Sequence, residues 1–125
     1  MHPPLFLTAL TAVSAAGQQG AGEEGHGAAA HGAALLARRG GLRPNDWDPA
    51  TGGWIGRVTG VEAHELPPGL AGFDCRNNRL ADMALRADGF MDKVAAARAR
   101  HGADRIAVVL GTSTSGVSAA ASMKH

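Results

Sequence analysis

Two glycines bracket four consecutive hydroxyl side chains towards the C-terminal end of the chain: Gly111, Thr112, Ser113, Thr114, Ser115 and Gly116. The apolar run Ile106 to Leu110 precedes them and reads as a buried strand. A strand running into a glycine-bracketed turn is where phosphate loops and nucleophile elbows are built. A phosphate loop needs a lysine directly after its second glycine, to reach the outer phosphates, and then a hydroxyl for magnesium. Val117 takes the lysine position and leaves Ser118 without its partner, which excludes nucleotide hydrolysis. The elbow G-x-S-x-G begins at Gly111-Thr112-Ser113, but Ser115 stands where its second glycine must be. Only His125 follows as a histidine, and no Asp or Glu comes after the turn.

The other reactive residue types are sparse. Cys75, in "FDCRNNRL", precedes a helix and adjoins Arg76, two features that lower a thiol pKa. Asp74 opposes that field, so the residue reads as a small, half-buried cysteine at a helix start. His26 and His31 fall only roughly on one helical face, with no cysteine near, and read as solvated surface histidines rather than metal ligands. Trp47 and Trp54 read as packing anchors. These residues give no catalytic set, no cofactor site and no metal site.

The elements that must position these residues follow from pattern. Leu5 to Val13 reads as a first buried strand ending at Gly17; the same stretch has the length of a signal-peptide core, but Pro3 and Pro4 precede it and no Lys or Arg does. Residues 18–33 are a Gly/Ala-rich, low-complexity stretch, and Ala34 to Arg39 form a helix end stopped by Gly40. "LRPNDWDPATGG" is a turn region, Trp54 to Val61 a short strand weakened by Gly56 and Gly60, and "ELPPGLAGFD" a loop. Capped by Asn77 or Asn78, a long helix runs to about Arg100. Leu80, Met83, Ala84, Ala87, Met91, Val94 and Ala95 make its apolar stripe, Gly89 softens its middle, and Gly102 ends it. The order of strands and helices gives an α/β class, with the strand Ile106 to Leu110 buried on both faces.

Composition sets the limits. The chain of 125 residues is one segment, too short for two domains. Its apolar content includes 26 alanines, while Leu, Ile, Val and Phe together number 23, below the roughly 20% usual for a folded domain. A net charge of +1 argues against a general nucleic-acid binder, which carries a basic face. A single cysteine fits a reducing, cytoplasmic setting, and no apolar run reaches the roughly 18 residues of a membrane span.

Several stretches in order resemble one family. "LTALTAVSAAG", "LLARRGGLRPNDW", "WIGRV" and, most strongly, "DCRNNRLADMALRADGFMDKVAAARARHGADRIAVVLGTSTSG" are similar to the N-terminal part of β-ketoacyl-[acyl-carrier-protein] synthases, members of the thiolase-like superfamily. They look most like bacterial ketosynthase-type proteins of polyene and fatty-acid-like pathways. The likeness covers about four fifths of the chain.

That resemblance implies a partial thiolase-like half, a mixed sheet flanked by helices and incomplete at its C-terminal end. It implies an acyltransferase family that carries out decarboxylative condensation, with acyl carrier protein and a homo- or heterodimer partner. By the same resemblance, Gly111 to Gly116 end a central strand beside the acyl pocket, and Thr114 sits near the fatty chain. The family's cysteine nucleophile and two histidines have no counterpart here: Cys75, His101 and His125 match none of them. The glycine-rich run Gln18 to Gly32 and the ending "SAAASMKH" depart from the family pattern. The expectation is therefore a truncated synthase segment, inactive by itself. The rival is a small non-catalytic accessory protein that docks to a synthase or to a carrier protein.

Overall fold

A computed structural model describes residues 4–18 and 26–111. Their order is a 3₁₀ turn at Ala15–Gln18, helix α1 at Ala28–Leu36, strands β1 at Leu42–Pro44 and β2 at Trp54–Gly56, and a 3₁₀ turn at Pro68–Phe73. Helix α2 at Arg76–Arg86 follows, then a 3₁₀ turn at Ala87–Gly89, helix α3 at Phe90–His101 and a last 3₁₀ turn at Ala103–Arg105. The described residues thus combine three α-helices with one two-stranded antiparallel sheet.

The hairpin is made by its loop. Arg43 pairs with Ile55, flanked by Leu42 with Gly56 and Pro44 with Trp54. Asn45 closes the connection from the inside. Its Oδ1 accepts the backbone N–H groups of Trp47 at 3.1 Å and Asp48 at 3.0 Å, and its Nδ2 donates to the carbonyls of Asp48 and Gly52. Such an Asx arrangement substitutes a side chain for backbone pairing. Gly52 and Gly53 take φ of 67° and 82°, which a side chain would resist. The turn punctuation was legible, and the expected strand Trp54 to Val61 proves shorter: it ends at Gly56, and Gly60 at φ 86° turns the chain away.

The expected long helix is two. Asp88 (φ 57°) and Gly89 (φ 61°) are both left-handed, so the softening at Gly89 is a break between α2 and α3. The residue at the start of α2 is Cys75, in extended conformation and without a side-chain cap. Asn77 and Asn78 lie inside the first turn, where Asn78 Nδ2 donates to the Phe73 carbonyl at 2.7 Å. Gly102 ends α3 at φ 87°. Of the apolar stripe, Leu80, Met83, Ala84, Ala87 and Val94 are half-buried, whereas Met91 and Ala95 are exposed.

Helix α1 begins earlier than the glycines implied because distant groups hold its start. Gly27, at φ 102°, has no side chain to cap with. Asp88 Oδ2 accepts the Ala28 N–H at 2.8 Å across 60 positions of sequence, and the Gly27 N–H donates to the Ala12 carbonyl at 2.9 Å. A Cβ at Gly27 would strike the Asp88 carboxylate.

Only Ala34, Val58 and Val61 are buried hydrophobic residues among those described. The two outer strand expectations are corrected here. Leu5 to Val13 and Ile106 to Leu110 run without strand pairing. Leu5 is 99% exposed and Val109 93% exposed. An apolar run becomes a strand only in a ladder with a neighbouring strand, and among the described residues the one ladder joins β1 to β2. Trp47 and Trp54 are not anchors either: both stand exposed. Trp47 lies under the Arg57 guanidinium, 5.3 Å from its ring centre, and Asp46 holds that guanidinium at 2.9 Å.

Candidate functional site

Of the turn singled out in the sequence, Gly111 is described and exposed; Thr112, Ser113, Thr114, Ser115 and Gly116 lie outside the described residues. Among the described residues, no three His, Cys, Asp or Glu side chains are grouped as a metal would require.

Cys75 is half-buried and free, as the sequence implied. Its charged neighbours are engaged elsewhere. Arg76 Nε donates to Glu62 Oε1 at 2.9 Å, and Arg79 grips both oxygens of Asp74 at 2.6 and 2.5 Å. The hydrogen bond from Arg76 holds the Glu62 carboxyl below its usual range, and that from Arg79 does the same for Asp74. These pairs stitch the loop before α2 to its first turns.

A second cluster joins the segment after β2 to α2. Asp82 Oδ2 accepts from Arg86 Nε at 2.6 Å and from His64 Nε2 at 2.7 Å. Arg86 first, and His64 after it, hold the Asp82 carboxyl below the ordinary aspartate range. A carboxylate only accepts, so His64 Nε2 carries its proton and is no base at that atom. The cluster is a brace for the turn that places Val61 in the core.

The third cluster was invisible in the sequence. His31, on α1, is not a solvated histidine. It is half-buried, with Nε2 2.7 Å from Ser14 Oγ and Nδ1 2.7 Å from the Gly27 carbonyl oxygen. Ser14 Oγ also accepts the Ala16 N–H at 3.3 Å. The pair spans 17 positions, between an irregular segment and a helix, so neither residue type nor spacing marks it. Ser14 lies on the wall of an open, largely apolar cavity of about 470 Å³, with Val13, Gly41, Leu42, Val58 and Leu80 among its other lining residues.

A wider groove of about 610 Å³ runs between residues 6–9 and α3. Phe6, Leu7, Phe90 and Val94 supply its apolar floor, and Lys93 and Arg100 its cationic rim. Leu5, Phe6 and Leu7, near the start of the described residues, and Val108, Val109 and Leu110, near their end, are exposed, whereas Leu80, Met83 and Phe90 are half-buried. No helix among the described residues is long and apolar enough to cross a membrane. No family model, curated protein or solved structure matches the chain.

Proposed function

We propose that the chain is an N-terminal β-ketoacyl synthase-like segment with a structural rather than a condensing role. It supplies helices and two strand-forming runs to a larger sheet. The observation that supports this reading is the outward display of Leu5, Phe6 and Leu7 and of Val108, Val109 and Leu110, while the buried hydrophobic side chains among the described residues are three small or medium ones. Contiguous exposed apolar surface marks an interaction face, and both runs have the β-rich composition of strands awaiting neighbours. The resemblance places both runs in the family's sheet and gives Cys75 no role as nucleophile. Arg76 and Asp74, both held in ion pairs, are consistent with a Cys75 that serves packing.

Two measurements test the reading. Incubated with acyl and malonyl carrier proteins, the purified chain is expected to yield no condensation product; product above background overturns the structural role. Co-expressed with a β-ketoacyl synthase that lacks its own N-terminal segment, the chain should co-purify, with amides of 106–110 protected from hydrogen exchange. A soluble chain that stays separate, with those amides still exchanging freely, refutes the assignment and leaves the accessory-protein reading in its place.

A further inference from the structure

The hydrogen bonds around His31 fix its protonation pattern. A backbone carbonyl only accepts, so the 2.7 Å contact with the Gly27 oxygen places a proton on Nδ1. In the neutral ring Nε2 is then an acceptor, and the Ser14 hydroxyl, 2.7 Å away, donates its proton to it. The Ala16 N–H, donating to Oγ from another direction at 3.3 Å, keeps the hydroxyl turned towards the imidazole. A hydroxyl, a base within hydrogen-bond reach and a third group that orients the base are the parts of an activated nucleophile. Ser14 also lines an open, largely apolar cavity of about 470 Å³.

We propose that Ser14 and His31 form a nucleophile–base pair that hydrolyses small carboxylic esters whose acyl group enters the apolar cavity beside Ser14. This activity is independent of the synthase reading. Ser14 Oγ attacks the ester carbonyl carbon as its proton passes to His31 Nε2, forming the C–O bond of a tetrahedral intermediate. Collapse breaks the bond to the leaving alkoxide, which takes the proton back from Nε2. Water then adds to the acyl-serine with His31 again accepting a proton; the carboxylic acid leaves, and the proton returns to Oγ. The Gly27 carbonyl is a positioning group: it fixes the tautomer but carries no charge to stabilise the imidazolium. His31 is accordingly expected to contribute within the 10²–10⁴-fold range of a general base.

The test starts from the full chain in a dilute lysate of expressing cells, where a fluorophosphonate probe should form an adduct that mass spectrometry maps to Ser14. With purified chain, p-nitrophenyl butyrate should be hydrolysed above the buffer rate, with an initial burst. Ser14→Ala should return the rate to background, and His31→Gln should lower it by about 100-fold or more, with unchanged far-UV circular dichroism. An adduct that is absent or maps elsewhere, or a Ser14→Ala chain that keeps the rate, overturns the proposal. The wild-type adduct decides the matter even where a variant fails to fold.

Discussion

Gly40 and Gly41 are neighbours in sequence, yet alanine should act oppositely at the two. Neither has a positive φ, so backbone strain does not separate them. Around Gly40 a new Cβ meets nothing within 4 Å, whereas at Gly41 it would overlap the backbone of Ala15 and Ala16. Carbon atoms rest roughly 3.5–4.0 Å apart, so the Ala15–Ala16 segment or the start of β1 must retreat by roughly 1.5 Å or more. The obstruction is backbone, not a movable side-chain tip. The cost therefore falls near the upper end of the usual overpacking range, about 3 kcal/mol. At 1.4 kcal/mol per factor of ten, the open fraction rises roughly a hundredfold. Gly40→Ala gains about 0.4–1 kcal/mol by restricting the unfolded chain, a few-fold change the other way. Pulse proteolysis across a urea series reads both at low protein concentration, where the exposed apolar runs do not confuse the result. Equal midpoints for the two variants would refute the reasoning. They would mean that the chain in solution does not bring Ala15 against Gly41, and the placement of Ser14 on its cavity would fall with it.

Two other predictions follow from charge and exposure. Asp82, Asp74 and Glu62 are all held below their ordinary carboxyl range by arginine hydrogen bonds; as pH falls below about 4–4.5 the unfolded chain takes up protons first. Their stabilisation is thus present above that range and lost below it. Helical circular dichroism should decline on acidification, and Asp82→Asn should make the decline shallower; an unchanged acid profile in that variant would remove Asp82 from the account. Val108 is 79% exposed in a β-branched run, so Val108→Lys should raise the soluble fraction on expression without conferring condensing activity, because a charge blocks edge-to-edge pairing. Solubility equal to that of the parent chain would show that the run 106–110 does not drive association.

Elements governed by local sequence were the legible ones. The stripe through Leu80, Met83, Ala84 and Ala87, the weak point at Gly89 and the stop at Gly102 all belong to short-range periodicity and glycine's conformational freedom. The turn before Trp54 was legible for the same reason, through Asn45, Gly52 and Gly53. What failed was everything that depends on a distant partner. The runs 5–13 and 106–110 carry strand composition, but composition does not supply the neighbouring strand. Trp47 and Trp54 have the size of core anchors, but among the described residues the buried hydrophobic ones are Ala34, Val58 and Val61. Asn78 has the right chemistry for a cap and uses it on the Phe73 carbonyl instead. Ser14 and His31 meet only because α1 folds back against the segment before it, a closeness that no spacing rule encodes.

The carboxylate of Asp88 imposes a timetable on the chain. The start of α1 waits on a residue 60 positions later, and at roughly 5–20 residues per second that stretch takes the ribosome about 3–12 s to add. A helix of nine residues does not persist unaided over that interval. Through those seconds the start of α1 has only one of its two distant partners, the Ala12 carbonyl. The break between α2 and α3 is therefore also a joint between distant parts of the chain: with Asp88 and Gly89 left-handed, the Asp88 carboxylate reaches back to the Ala28 N–H.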